Sequence, residues 1–275
     1  MPNYINGLPA IDKIEDLKAN ILNEFLSLGI CYVRKEIVSE TEDIFNCIRE
    51  KSYQFFSQTR QEKSKVQEYN DRRTIALKEH VERLSFPLIK PPHHLENESK
   101  SLLIAQENLL VKIVNPLILK IFNNFGKAEI ASNLIGSEET YFSIVFYPVC
   151  ENNEESPLVG LKKHKDLGLL TVLSLTEPGL KRRVSNDKKM HEWIDVKADP
   201  DYFVLICGKT LQLLLGKDKC HAPSHKVELK EEKRLSMGMF FNPQASLPIK
   251  NIFTGEQLFE NFIPDYITQM MSKYG

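Results

Sequence analysis

The sequence predicts a chain that is helical first and mainly β afterwards, with an antiparallel body of the sandwich, barrel or jelly-roll kind. Two patterns predict it. Apolar residues recur at helical spacing in the first half, and from near Tyr141 they give way to short β-prone runs with turn signals between them. A third observation ties the halves together: no internal repeat or low-complexity segment separates them, so one integrated unit is expected.

The elements follow in order. Leu17, Ile21, Phe25 and Leu28 define a first helix, Asp12 with Glu15 has capping-box form at its start, and Gly29 supplies a stop. "ICYVR" reads as a strand. Ser39 with Glu42 opens a second helix that carries Ile44, Ile48 and Phe55 inward. A third apolar-periodic segment spans Ser99 to Phe125, and Pro116 should kink or restart it. The polar, Pro-interrupted stretch "YNDRRTIALKEHVERLSFPLIKPPHHLENES" reads as loop with a short helix or strand. After it, "YFSIVFY", "LLTVLSL", "YFVLI", "LQLLL", "HKVEL" and "RLSMGMFF" read as strands. "CENNEESP" and "RRVSNDKKMHE" read as exposed loops.

The 275 residues are 42% hydrophobic and 27% charged, with a formal net charge of −1, as in an ordinary globular protein. Mixed charge along the chain gives no basic arm for nucleic acid and no acidic tail. The N-terminus lacks a signal peptide's pattern, and no run approaches the length of a membrane span, so no membrane partner is expected. Cys31, Cys47, Cys150, Cys207 and Cys220 are scattered, with no C-x-x-C, which points to free thiols and a cytoplasmic location. Cys150 and Cys207 are expected to be inert and buried.

The chemistry concentrates in "LKKHKDLGLLTVLSL". Side chains two apart on a strand share a face, so His164 and Asp166 should project together. One imidazole and one carboxylate are two-thirds of a facial metal triad, and His225 in "APSHKVEL" is the best-placed third member. Such a triad leaves positions open for O₂ and a chelating cosubstrate. In "KRLSMGMFFNP", Arg234 and Ser236 are likewise two apart. A guanidinium turned into a β core is costly unless an anion meets it, and the fork plus a hydroxyl suits a carboxylate.

The ordered set "FYPVC", "HKDLGLLTVL", "PSHKV" and "RLSMGMFFNP" resembles the Fe(II)/2-oxoglutarate-dependent dioxygenases of the isopenicillin N synthase-like class. "LPAIDKIEDLKANILNEFLSLGICYV" and "SYQFFSQTRQEKSKV" are similar to that family's opening segments, so the likeness spans nearly the whole chain. The resemblance implies a mainly β fold with α elements, a double-stranded β-helix (jelly roll) core backed by N-terminal helices. Residues 1–135 would form the N-terminal helical region and residues 136–275 the core. It implies His164, Asp166 and His225 as iron ligands, and Arg234 and Ser236 on the distal carboxylate of 2-oxoglutarate. Tyr147 would donate to the oxoacid end, and Leu173 and Phe241 would line the pocket. The implied cofactors are Fe(II), 2-oxoglutarate and O₂. The implied reaction is oxidation, most simply hydroxylation, of a small-molecule substrate with release of succinate and CO₂. The chain departs from the family pattern at Val145 (usually Asn), Lys181 (usually Gln), Lys209 (usually Asp) and Lys226 (usually Arg), none of them a metal ligand.

Other residues are assigned quieter roles. His221 is expected in a loop near the site, and His80, His93, His94 and His191 in solvent. Trp193 should pack on the β body. Lys162, Lys163, Lys181, Arg182 and Arg183 read as a solvated face before they read as a surface for an anionic substrate. Three rival readings remain at this level: an iron oxidase that does not use 2-oxoglutarate, a non-catalytic binding module on the same scaffold, and a structural or hydrolytic zinc site. A zinc site built on the same three residues would not need the Arg234–Ser236 pair.

Overall fold

The computed structural model describes residues 3–63, 74–77, 81–88, 91–132, 134–136, 139–149, 159–185, 190–229 and 231–262. His80, Cys150 and the rest of the "CENNEESP" loop lie outside them. Five strands come from the first part of the chain: β1 (Asn3–Ile5), β2 (Leu8–Ile11), β3 (Ile30–Arg34), β4 (Thr74–Leu77) and β5 (Val81–Pro87). The longer helices there are α1 (Ala19–Leu28), α2 (Ser39–Phe56), α3 (Ser99–Leu109) and α4 (Asn115–Asn124). Then follow β6 (Tyr141–Tyr147), β7 (Val159–His164), β8 (Leu170–Ser174), β9 (Leu180–Ser185), β10 (His191–Asp195) and β11 (Tyr202–Cys207). Helix α5 (Lys209–Leu215), β12 (His225–Glu228), β13 (Arg234–Phe241), β14 (Ile249–Lys250) and β15 (Gln257–Phe259) complete the described chain.

Two sheets form the body. The major one has nine strands in the order β1-β2-β3-β11-β8-β13-β6-β5-β4, and the minor one four, β10-β9-β12-β7. Only β2–β3 is parallel among these pairs. One face of the major sheet packs on the helices: Phe45 of α2 meets Phe142 of β6 and Phe203 of β11 with ring centroids 5.4 and 5.8 Å apart. The other face meets the minor sheet through a smaller cluster that joins Tyr32, Val145, Tyr147 and Val204 to Leu180 and Val227. The site lies at the polar end of that inter-sheet space.

Strands expected at "ICYVR", "YFSIVFY", "LLTVLSL", "YFVLI", "HKVEL" and "RLSMGMFF" are present. "LQLLL" is not one of them. It is helix α5, with Leu211, Leu214 and Leu215 buried, because a run of leucines satisfies i, i+3, i+4 as readily as alternation and leucine favours helix. The stretch read as loop with a short helix or strand contains two strands, β4 and β5, and β5 pairs with β6 from Glu82 to Pro87. Arg182 and Arg183, expected in a loop, lie in β9. The first 135 residues are therefore not a helical layer alone, since β1–β5 extend the major sheet on both sides.

Helix α1 ends at Gly29, whose φ of 71° is open to glycine, and whose Cβ would stand 2.0 Å from the His221 carbonyl oxygen. The capping box is not used. The helix begins at Ala19 without a side-chain cap, and Asp12 instead pairs with Arg34 at 2.7 Å and accepts from the Tyr202 hydroxyl at 2.9 Å. Before Pro116 the helix widens into a π turn over Leu110–Val114 and resumes as α4. The wider turn accommodates a residue that has no N–H and crowds the preceding carbonyl. Among the described residues, the stretch His93–Asn124 is long and apolar enough, by length and composition, to cross a bilayer. Half of its apolar window is buried inside the fold.

His94 is not a solvated residue. Its ring stacks on Phe55 at 4.2 Å, and both ring nitrogens are buried without a hydrogen-bond partner. Burial, then the neighbouring His93, pushes its pKa down to about 4. The folded state therefore binds this proton less readily than the unfolded chain, whose histidine titrates near 6.5. The contribution is complete above pH ~6.5 and is lost as pH falls towards 4, about 2 kcal/mol of it by pH 5. Urea unfolding at pH 7 and pH 5 should show a smaller acid loss for His94→Phe than for wild type by that amount. Equal losses would contradict the stacked, neutral ring.

Candidate metal centre

His164 closes β7 and His225 opens β12, and the two are directly paired across the minor sheet. Their rings lie 4.2 Å apart at 61°. His164 Nδ1 lies 2.8 Å from the Lys162 carbonyl oxygen, and His225 Nδ1 lies 3.3 Å from that of Pro223. Each ring can therefore donate from Nδ1 to a carbonyl, which fixes the tautomer and leaves the Nε2 lone pair facing inward. Asp166 Oδ1 is 3.8 Å from His164 Nε2 and 3.6 Å from His225 Nε2. The three ligand atoms lie within 4.8 Å of one another, close enough to converge on one ion by small rotations. Burial, then the His225 imidazole, pushes the His164 pKa down to about 4, so the ring is neutral and ligand-competent near pH 7.

The reason these residues meet differs from the strand-face expectation. Asp166 lies past the end of β7, in the turn that leads to β8. That turn is held by the start of α5. Lys209 N–H donates to the Asp166 carbonyl at 2.7 Å, Thr210 N–H to Leu167 at 3.0 Å, and the Thr210 hydroxyl to Leu167 at 2.6 Å. Gly208, just before the helix, packs backbone to backbone on Gly168: a Cβ there would stand 2.0 Å from the Gly168 carbonyl oxygen. Backbone cannot yield as a side-chain tip can. Gly208→Ala is therefore expected to cost at least about 2 kcal/mol and to displace Asp166. Unfolding curves and Fe(II) titration of the variant check both parts.

At the other end of the same cavity, of about 260 Å³, stand Arg234, Ser236 and Tyr147. Arg234 and Tyr147 are cross-strand partners on β13 and β6, with the guanidinium carbon 4.8 Å from the Tyr147 ring centroid. Arg234 is 1% exposed. It donates from Nη1 to the Pro178 carbonyl at 3.0 Å, while Nε is buried with no protein partner. Burial lowers its pKa, opposed by Tyr147, Glu177 and Tyr53. Burial raises that of Tyr147, opposed by Arg234 and by a hydrogen bond with Ser236. A charged fork with an unmet N–H, beside two hydroxyls, is built to receive a carboxylate.

Leu173 lines the cavity over Gly238, where a Cβ would come within 2.7 Å of its methyl. Phe241 does not line it. Arg234, Ser236, Gly238 and Phe240 face the cavity, whereas Leu235, Met237, Met239 and Phe241 enter the core against the helices. The two-residue period puts Phe241 on the face opposite Arg234. Polar cavity residues not foreseen from the sequence are Arg83, Tyr141, Ser143 and Lys165. Alternation of Arg83 and Ser85 with buried Leu84 and Phe86 is the signal that could have found the first.

His221 is exposed and is not part of the triad; its backbone N–H donates to the Leu26 carbonyl of α1 at 2.8 Å. His191 is exposed and bonded to Ser185. Trp193 lies under the Lys226 ammonium at 4.8 Å. Lys181 pairs with Glu228 at 2.9 Å, Arg182 Nε is buried without a partner, and Lys162 and Lys163 are exposed. The basic residues are thus not a single solvated face. Cys31, Cys47, Cys207 and Cys220 are free thiols, and burial raises the pKa of Cys207 well above its ordinary value.

Comparison with known proteins agrees with this arrangement. Residues 138–243 match the family described as the 2OG-Fe(II) oxygenase superfamily. Jasmonate-induced oxygenase 3 of Arabidopsis thaliana is 29% identical over 147 residues, 51% of this chain and 39% of that protein. The 2-oxoglutarate-dependent dioxygenase AOP2 of Arabidopsis thaliana is 39% identical over 85 residues, 30% of this chain and 18% of that protein. The matches thus span well under half the length of these relatives. A full-length Neurospora crassa protein, solved in complex with alpha-KG and 5-formyluracil, superposes with a TM-score of 0.75 at 18% identity, covering 97% of this chain and 96% of that one. JOX2 in complex with 2OG, Fe and JA gives 0.73 at 21% identity, covering 96% and 84%. These likenesses establish the jelly-roll fold with its helical backing. The segment that carries the triad and the Arg234–Ser236 pair is thus the one that matches the 2OG-Fe(II) oxygenase superfamily.

Proposed function

We propose that this protein is a non-haem Fe(II)- and 2-oxoglutarate-dependent dioxygenase that oxidises, by hydroxylation, a small molecule and releases succinate and CO₂. The observation that carries the reading is one cavity with two imidazoles and a carboxylate at one end and a buried guanidinium with an unmet N–H at the other. His164, Asp166 and His225 would hold the iron. Arg234, Ser236 and Tyr147 would hold 2-oxoglutarate. When bound, these groups supply the oxidation: O₂ is consumed while 2-oxoglutarate loses CO₂ and becomes succinate.

The chain's share is placement. The Lys162 and Pro223 carbonyls orient the two imidazoles. Arg234 offers its charge in a near-waterless setting, where a carboxylate gains most from it. Leu161, Leu173, Leu175 and Val227 wall the cavity and exclude water from the reacting end. Similar structures hold chemically different molecules, thymine in the Neurospora crassa protein and JA in JOX2, so the fold does not select the substrate.

An anaerobic titration with Fe(II), then 2-oxoglutarate, tests the reading through the visible metal-to-ligand charge-transfer band. Wild type should develop the band, His164→Ala should lack it, and Arg234→Ala should need far more 2-oxoglutarate. Bound iron without the band would point to an oxidase that uses Arg234 for a different carboxylate. No bound iron would end the enzymatic reading.

A further inference from the structure

We infer that Arg83 anchors a carboxylate of the primary substrate, which is a small monocarboxylic acid with an apolar body. The inference rests on the iron and 2-oxoglutarate reading above and adds the substrate class to it.

Arg83 enters the cavity from β5, on the far side of β6 from Arg234. It lies opposite Val145, which lies opposite Ser236. Two strand spacings separate β5 from β13, on the order of 10 Å. A ligand seated on Arg234 and Ser236 therefore leaves Arg83 to a second one. Among the described residues the partners of Arg83 are all neutral. Nε donates to Ser85 Oγ at 2.9 Å and Ser143 Oγ at 3.0 Å, and the group also hydrogen-bonds the Tyr141 hydroxyl. Among the described residues no carboxylate forms an ion pair with it. Among the described residues, Asp166 is the one acid lining the cavity, and it is committed to the triad.

Charge balance sharpens the assignment. The two positive charges of Fe(II) and the one of Arg234 are cancelled by Asp166 and the two carboxylates of 2-oxoglutarate. Arg83 is then an uncancelled cation in a cavity whose other walls include Leu161, Leu173, Val227 and Phe240. A guanidinium there needs an anion, its fork suits a carboxylate, and the apolar walls suit a hydrocarbon body. Lys165 is the other cation at the cavity, half-buried and next to His164, so the test must separate the two.

The experiment uses phenylacetate, cyclohexylacetate and hexanoate, each beside its primary amide, on the anaerobic protein loaded with Fe(II) and 2-oxoglutarate. Perturbation of the visible band and calorimetry report binding. At least one acid should bind wild type about 10-fold or more tighter than its amide. Arg83→Gln should weaken that acid by about 10- to 100-fold, with 2-oxoglutarate affinity within about twofold of wild type. Arg83→Lys should retain part of the acid affinity and, with an unfolding curve, controls for folding. The proposal is overturned if acid and amide bind alike, if no acid binds wild type, or if Arg83→Gln leaves acid affinity intact. It is equally overturned if Arg83→Gln weakens 2-oxoglutarate instead, or if Lys165→Gln and not Arg83→Gln removes acid binding. Failure of the underlying reading looks different: wild type would not bind 2-oxoglutarate at all, while calorimetry on the metal-loaded protein would still report the acids.

Discussion

Asp166→Ala is expected to lower Fe(II) affinity by on the order of 100-fold or more, and to erase the optical response to 2-oxoglutarate. Loss of an outer partner that merely orients a ligand already costs about 10- to 100-fold in metal affinity, so loss of the triad's one charged ligand should cost no less. Two neutral imidazoles would remain, 4.2 Å apart at their centroids, with nothing to offset the metal's charge. The fold should survive. The turn is held through the backbone carbonyl of Asp166, which accepts from Lys209 N–H, and not through its carboxylate. The side chain is 5% exposed, so its removal also relieves a buried charge. The variant should therefore melt close to wild type while losing iron. Anaerobic Fe(II) titration and thermal unfolding, run on the same preparation, separate the two effects. Retained iron affinity would mean that the carboxylate is not a ligand.

How much of this was legible in the sequence depends on the range of the interaction that decides each feature. Strand β13 is a local pattern: alternation in "RLSMGMFF" turns Arg234 and Ser236 to one face, and the same parity sends Phe241 to the other, a consequence the family resemblance obscured. "LQLLL" is also local but degenerate, because five apolar-rich positions fit two periods, and the glycines at 208 and 216 that bracket it were the better guide. The His164–Asp166 spacing led to the right residues by an incomplete route. Strand geometry supplies His164 and His225 as a cross-strand pair, whereas Asp166 is placed by α5, more than forty residues downstream. The pairing of β5 with β6 and the addition of β1–β3 to the sheet were not legible, since pairings such as Tyr32 with Val204 leave no local trace. Arg83 inherits that difficulty: its role at the cavity exists only once β5 is seated against β6.

Arg234→Met is expected to move stability and function in opposite directions. Arg234 is 1% exposed, with no protein partner for Nε and one carbonyl, that of Pro178, as its hydrogen-bond acceptor. Its cradle is tight, since a Cβ on Gly179 would stand 2.3 Å from Nη1, so the guanidinium has little room to find better partners. The contact with the Tyr147 ring recovers part of the desolvation cost but carries no counter-charge. Replacing such a buried ion by an apolar chain of similar length often stabilises, here by about 1–2 kcal/mol. The same change removes the fork that receives the distal carboxylate, and 2-oxoglutarate affinity should fall on the order of 100-fold. At a 2-oxoglutarate concentration about 100 times its Kd, ligand binding adds about 2.7 kcal/mol to wild type. The two unfolding curves should therefore exchange order: the variant is the more stable protein without 2-oxoglutarate and the less stable one with it. Urea unfolding of the metal-loaded, anaerobic protein with and without 2-oxoglutarate reads both halves. A variant destabilised in the absence of 2-oxoglutarate would show that protein groups already satisfy Arg234. A variant that keeps its response to 2-oxoglutarate would place the carboxylate anchor elsewhere.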